Sequence, residues 1–548
     1  MRWSGLSSYF KLELFLVAGV ISLAVFQAPH ERFLWRISLD PGVDLTIHDL
    51  TARGFRPTVD FGLVYGLLPP LVNRVWYTLA GTSPRAYRVE LVLGTCLTAL
   101  GMARFARARR VGAAGVALIA LSLPDVLFST YSTSVHVFEP ALLVHGLAEH
   151  ARGRRATALA LATAACFVKP SMGFVYGLVL CLCIAVTLKG SEWRDWARAL
   201  GPSALVGVLL AVVLATTYGV GPLVRTILPG AGMSNYRLER YGFFRGTGRE
   251  FWVLPEGSLR AYFRYEVGFW LIGTAWLIAS GIASLWRLGR GGPFRPPPRP
   301  LSPRERMPEG RVRGPGVDEE TALQGQPSGD ERRDDEVIVC IAALHVAFVT
   351  CFYAHRMSWA YYFAILILGL AATAKGRRRA AVVWLLAAML LVSDRSKLLT
   401  TYREWSTSAP GPETLGLWAT PAERSEWLEV LRRTRGHRPV LLSEVEGSVP
   451  LVPGFASPVA AYFFPGICLP VEARRKAKQL AAAGMIVATV PRDWRGFRLW
   501  PELAAALDGC EPAFEGDAFR LYRRVRPPSR PSSHRDASGL APRSSSHP

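Results

Sequence analysis

At 548 residues, half of them hydrophobic, with a mean hydropathy of +0.21 and 19% charged residues against about a quarter in soluble domains, the chain is excluded from the soluble globular class and is expected to cross a membrane many times. A formal charge of +22 raises nucleic acid as a partner, but Lys and Arg fall in short clusters beside apolar runs and form no basic face interleaved with stacking aromatics, so no nucleic acid is expected. Eight cysteines show no metal-binding spacing: six lie in apolar runs as small buried hydrophobes, and only Cys468 and Cys510 are placed to pair, if their domain faces an oxidising compartment.

Apolar stretches of spanning length run at about 12–28, 86–104, 111–128, 137–149, 156–168, 171–188, 202–218, 267–286, 337–353, 358–375 and 379–393. The basic clusters 104–110, 152–155, 189–198, 287–299 and 375–379 all fall on one side of this scheme, which makes that side the cytoplasm. The first stretch follows Lys11 and leads to no small-residue cleavage site, so it is expected to stay as a signal anchor with a cytoplasmic N-terminus. The loops 29–85 and 219–266, the region 131–136, the turn 354–358 and everything after 394 then lie outside. Residues 61–80 are apolar but carry Pro69, Pro70, Asn73 and Arg74, which suits a helix at the interface better than a span.

Residues 287–336 hold a Pro/Arg/Gly-rich half and then an acidic half from Asp318, the composition of a disordered cytoplasmic linker whose basic part suits anionic headgroups. Beyond residue 397 the pattern changes to short alternating runs. Strands are expected at 439–443 and 484–490, helices at 471–483 and 500–507, and a closing edge strand at 519–525, together a small α/β domain. The organisation is therefore a membrane core 1–286 containing the outer loop 29–85, a linker 287–336, further spans at 337–393, an extracytoplasmic α/β domain 394–525 and a disordered tail 526–548.

The chemistry is expected in the first outer loop, where Asp40, Asp44, Asp49 and Asp60 lie close to a bilayer surface. Ionisable groups near hydrocarbon cost free energy, so four of them mark a candidate site. Asp40 and Asp44 share a face at helical spacing, and a partly desolvated carboxylate is suited to take the proton of an attacking hydroxyl. Asp60 is equally suited to cap a helix beginning at Phe61.

The stretch Gly54, Pro57, Asp60, Phe61, Tyr65, Gly66, Pro69, Pro70, set after a first span and before a many-helix bundle with an outward C-terminal domain, resembles the GT-C superfamily of integral membrane glycosyltransferases, such as protein O-mannosyltransferases and aminoarabinose transferases. The resemblance covers nearly the whole chain in architecture and about 30 residues in motif. It implies an α-helical polytopic membrane bundle of about 11 transmembrane helices, GT-C-like, with a small extracytoplasmic α/β domain. It also implies a loop-one Asp as base, a role carried to Asp44 first and Asp40 second. The adjacent Asp-Glu pair common in these families is missing.

A lipid-phosphate donor needs cations in a water-poor setting. Lys169 resembles the Lys-Pro that several GT-C members carry between spans, and His355 with Arg356 matches their basic outer turn. Arg245 and Arg249, with Arg225, Arg237 and Arg240, sit among aromatics in the 219–266 loop. Tyr65, His136 with Glu139, and Tyr361 are expected to line the same cavity. No phosphate loop, nucleotide-sugar Asp-x-Asp or HExxH is present. No cofactor is required by the pattern, although loop-one carboxylates are suited to a divalent metal. The expected activity is inverting transfer of a sugar from a polyprenyl-phosphate carrier to a lipid, glycan or protein acceptor outside the plasma (inner) membrane. The rivals are a flippase for a lipid-linked glycan and a non-catalytic scaffold.

Overall fold

The computed structural model describes residues 8–38, 42–63, 65–128, 133–187, 193–228, 259–290, 329–352, 359–461, 463, 468–491, 494, 497–498 and 500–525. A helical bundle is built from α1 (Ser8–Phe26), α5 (Pro84–Arg109), α6 (Ala113–Leu121), α7 (Leu123–Phe128), α8 (Val135–Ala151), α9 (Arg155–Val168), α10 (Pro170–Thr187), α11 (Trp193–Tyr218), α13 (Leu259–Arg290), α14 (Gly329–Phe352), α15 (Trp359–Thr373) and α16 (Arg377–Thr407). Between α1 and α5 lie the short helices α2 (Phe33–Ser38), α3 (Val43–Ala52) and α4 (Leu68–Ala80), and α12 (Val220–Ile227) follows α11. Each apolar stretch read from the sequence falls on one of these helices, the third being shared by α6 and α7.

Among the described residues, Pro84–Arg109, Trp193–Tyr218 and Phe269–Gly289 are long and apolar enough to cross a membrane. α11 leaves Leu205, Val208, Leu209 and Val212 more than half exposed, an outward apolar stripe that only hydrocarbon solvates cheaply. Inside the bundle α5 packs along α8, and α8 along α9. The approach of α5 to α8 requires glycine. A Cβ on Gly94 would stand 1.9 Å from Val137 Cγ1, and one on Gly101 would stand 2.9 Å from Val144 Cγ1. Spaced seven residues apart on each helix, these contacts bring the start of α5 against the start of α8.

At the far end of α5, Arg109 pairs with Asp334 of α14, which Lys375 also reaches. Arg287 binds Asp335 at 2.5 Å, and Arg155 binds Glu336 at 3.5 Å. Four of the basic clusters expected on one side therefore converge on three acids. The linker expected over 287–336 is helical at both ends: α13 runs to Arg290 and α14 starts at Gly329, because its acids are neutralised by this ring of cations.

The C-terminal α/β domain contains a small ribbon, β1 (Ala409–Pro410) with β2 (Trp418–Ala419), and helices α17 (Pro421–Thr434), α18 (Pro470–Ala482) and α19 (Pro501–Ala505). Its main sheet has the order β3-β4-β6-β5, with β3 (Val440–Leu442) parallel to β4 (Met485–Ala488) and with β6 (Arg520–Arg524) and β5 (Cys510–Glu515) antiparallel. The strand expected at the edge, β6, is interior, and β5 is the edge. Pro512 and the acids of CEPAFE hide that strand from a pattern search, and an edge with a bulge at Pro512/Phe514 is where Pro is tolerated. Cys468 and Cys510 are free thiols.

Side chains alternate across this sheet. Val440, Leu442, Ile486 and Ala488 face α18 and α19, while Leu441, Met485, Val487 and Leu521 face α17. Phe33 and Ile37 of α2 complete that second face, with the Phe33 ring tilted at 60° against Trp427 at a centroid separation of 4.9 Å. The first outer loop thus belongs to the core of a domain otherwise built from the end of the chain.

Candidate active site

Loop one is held in place before any chemistry is considered. α3 stops where Gly54 adopts φ +86°. The next turn carries Thr58 at φ +61°, and Asp60 Oδ2 accepts from Arg56 N at 2.8 Å. Phe61 is fully buried with Val43, Ile47 and Leu50 against Val445 and Ala461 of the C-terminal domain. Residues 61–63 and 65–67, expected to be helical, are not: Gly62 N donates to Glu472 Oε2 at 2.8 Å, and Gly66 N donates to the Val168 carbonyl at 2.9 Å. A Cβ on Gly66 would sit 1.9 Å from the Phe167 carbonyl oxygen, so the loop touches the end of α9 directly. The helix begins only at Leu68, with Pro69 and Pro70 in its first turn, where their missing donors cost nothing.

The C-terminal domain grips the same loop from above. Thr46 donates to the carbonyls of Glu446 and Gly447, and Arg475 donates to the Asp60 carbonyl. Behind these contacts Glu446 and Lys476 form an ion pair with side chains 0% and 1% exposed. Burial pushes the Glu446 carboxyl up and the Lys476 ammonium down, while each is drawn back by the other. Glu472 is pushed up to about 8 by burial, against the pull of the Leu469, Gly62 and Ala461 amides.

α3 directs Asp44 inward. Asp44 is 4% exposed, and its Oδ2 accepts from Ser134 N at 2.7 Å and from Tyr87 Oη at 3.1 Å. Ser134 precedes α8, whose N-terminal dipole end favours a carboxylate there. A second carboxylate lies close by: Glu90 accepts from Tyr77 Oη at 2.9 Å. The Asn73 amide fits with its nitrogen on Glu90 Oε1 at 2.5 Å and its oxygen taking the Ser134 hydroxyl at 3.1 Å. Two turns of α8 carry the network onward. His136 Nε2 lies 3.2 Å from Tyr65 Oη, and Glu139 Oε2 lies 3.6 Å from Lys169 Nζ. Lys169 follows the last residue of α9 and keeps 16% of its side chain exposed.

Asp44, Tyr65, His136 and Lys169 are therefore brought into one polar strip along the start of α8. Asp49 is not part of it: it pairs with Arg53 at 2.6 Å. Asp60 is not part of it either, since its side chain closes the Arg56 turn and caps no helix at Phe61. Among the described residues the loop-one carboxylates form no metal-binding group. Asp40, Arg237, Arg240, Arg245, Arg249, His355 and Arg356 lie outside the described residues, and so does the side chain of Tyr361, which is on α15. Arg225 donates to the Thr58 carbonyl at 3.0 Å and so supports the loop-one turn.

Sequence reasoning missed Tyr87, Glu90, Tyr77 and His48. A carboxylate within an apolar spanning run was a usable signal for Glu90. His48, one turn after Asp44, packs its ring on Tyr77 at 4.9 Å, and burial holds its imidazole below the ordinary value. Tyr87 sits opposite the ends of this strip from Arg109: 22 residues of α5 separate them, about 33 Å at 1.5 Å per residue, which matches a hydrocarbon core of about 30 Å.

No family model matches the chain, and no curated protein does. Among solved structures it is similar to ArnT from Cupriavidus metallidurans bound to undecaprenyl phosphate, with a TM-score of 0.50 and 13% identity over 94% of this chain and 99% of that one. The apo form of the same ArnT is matched over 93% and 97% at 14% identity, with a TM-score of 0.45. The chain shares the fold of this ArnT over almost its whole length, a helical bundle with a small C-terminal sheet as expected from its sequence, and three of its described helices are long and apolar enough to cross a membrane.

Proposed function

We propose, from this shared fold and the strip along α8, that the chain is a membrane glycosyltransferase that moves a sugar from a polyprenyl-phosphate carrier to an acceptor at the C-terminal-domain side of the bilayer. A phosphate leaving group departs without a proton, so one base suffices, and Asp44 is that base. Its carboxylate takes the acceptor hydroxyl proton as the oxygen attacks the anomeric carbon, and attack opposite the departing phosphate inverts that carbon. Lys169 steadies the leaving phosphate, exchanging part of its pairing with Glu139 for the new anion. Tyr65 and His136 stand between these two groups and orient the sugar.

The observation that carries this reading is the sharing of one helix start by an inward acid and a cation, with the C-terminal domain closed over the loop that bears the acid. A flippase would need its charges spread through the bilayer depth, and the ion pairs of Arg109, Arg155, Arg287 and Lys375 gather at one end of the bundle. The test is transfer from radiolabelled polyprenyl-phosphate sugars by purified protein in nanodiscs. Asp44→Asn should lose on the order of a hundredfold or more in kcat with its thermal unfolding unchanged. Turnover equal to wild type removes Asp44 from the mechanism.

A further inference from the structure

The strip along α8 holds the carboxylates Asp44, Glu90 and Glu139 and only one described cation, Lys169, which already faces Glu139. A lipid phosphate arriving there needs a second positive group, and α4 carries one. Arg74 is exposed, and among the described residues no carboxylate pairs with its guanidinium. α4 has three faces. Pro70, Asn73 and Tyr77 point into the protein, Val72, Val75 and Leu79 are 36%, 56% and 80% exposed, and Arg74 with Thr78 forms the edge between them. On the Arg74 side, Leu67 and Leu71 pack with Leu214, Tyr218 and Leu223 of α11 and α12. α12 repeats the pattern, with Val220, Val224 and Leu228 exposed at 66%, 44% and 53%.

A second observation marks the same spot independently. Tyr218 is 7% exposed, yet its hydroxyl, buried at the junction of α4, α11 and α12, has no hydrogen-bond partner among the described residues. A phenol left so has lost its water without replacement, a cost that a ligand oxygen would recover. Leu71, one turn before Arg74 on the same side of α4, packs in the cluster that holds Tyr218. Arg225, the cation of α12, is already held by the Thr58 carbonyl.

We propose that Arg74 and Tyr218 form a phosphate cradle at a lipid portal between α4 and α12, through which a polyisoprenoid monophosphate headgroup enters while its tail lies on the exposed valines and leucines of both helices. The chemistry matches each part. Guanidinium and phenol both donate, a phosphate monoester accepts from both, and an isoprenoid chain covers apolar side chains that water would leave unfavourably exposed. The cradle rests on the proposed function for the identity of its ligand, but it concerns how the headgroup is captured, not how it reacts.

The test is binding, independent of turnover. Affinities for undecaprenyl phosphate and for undecaprenol, which differ only in the phosphate, are measured in detergent micelles for wild type, Arg74→Ala, Arg74→Lys and Tyr218→Phe. Wild type should prefer the phosphate. Arg74→Ala should lose on the order of tenfold to a hundredfold of that preference, with the affinity for the alcohol unchanged. Arg74→Lys should keep part of it, and Tyr218→Phe should lose about tenfold. A preference in Arg74→Ala equal to wild type overturns the cradle and leaves the proposed function standing. Equal losses for phosphate and alcohol also overturn it, because they report the apolar face instead of the guanidinium. Absence of any phosphate preference in wild type overturns the transferase reading itself. Phosphatidylglycerol vesicles as competitor separate a general anionic-headgroup site, which would be displaced, from an isoprenoid one, which would not.

Discussion

Replacing Lys476 by Met leaves the Glu446 carboxylate fully enclosed with no counter-charge. The pair has side chains 1% and 0% exposed, and the lysine also donates to Gln479 Oε1 at 3.1 Å, so water cannot move in without opening the domain. Breaking a buried pair from one side costs about 3–5 kcal/mol. The same pair replaced from both sides, as Lys476→Met with Glu446→Gln, should recover most of that loss, because Gln keeps an acceptor for the Val459 amide. Hydrogen exchange at the central strand amides of Ile486 and Val487 reads the difference directly. A loss of 3–5 kcal/mol speeds exchange on the order of a hundredfold to several thousandfold where domain opening governs it. The carbonyl of Glu446 also receives Thr46, two residues from Asp44, so turnover should fall in the single variant and return in the double one. Exchange in Lys476→Met within about threefold of wild type, less than about 1 kcal/mol, would refute the reasoning, as would a double variant no more stable than the single.

Tyr87→Phe removes one of the two donors on Asp44 Oδ2 and should lower kcat by about tenfold with the donor KM little changed; a KM effect alone would place Tyr87 in binding instead. Gly66→Ala forces a methyl onto the Phe167 carbonyl and should cost several kcal/mol of thermal stability together with activity, whereas wild-type behaviour would deny the close approach of loop one to α9. For Glu472 the sign follows from its raised carboxyl. The folded protein holds that proton up to about pH 8 while the unfolded chain releases it near the ordinary value of 4.5, so this group's stabilisation is lost as pH rises between those points. Thermal unfolding of wild type should therefore weaken from about pH 5 to 8 more than that of Glu472→Gln, and parallel profiles would contradict the assignment.

The bundle was legible because hydrocarbon imposes long apolar runs and basic flanks, and both survive in a single sequence. The motif in loop one was legible for a different reason than its chemistry. Gly54 ends a helix, Asp60 closes a turn, Phe61 fills a core, Gly66 admits a neighbouring carbonyl and the two prolines open α4, so most of the motif's residues shape the loop and Tyr65 is the one that faces the strip of acids and cations. Asp44 and Lys169 were singled out by charge near the bilayer and by resemblance. Tyr87, Tyr77 and His48 were not, since an aromatic or a lone histidine in an amphipathic stretch looks like packing until its partner is known. The edge strand β5 and the start of α4 were misjudged because proline and long-range partners, Glu472 for Gly62 and Val168 for Gly66, decided them.

The hydrogen bonds from Thr46 to Glu446 and Gly447 join residues 400 and 401 positions apart, and Phe33 lies in the same hydrophobic cluster as Trp427. During synthesis the segment that carries α2 and α3 therefore emerges long before the surface it must fit exists, and Asp44 acquires its final bearing only when the last quarter of the polypeptide has folded. Premature termination near residue 394 would leave the helices without the domain against which α3 and its Asp44 are seated.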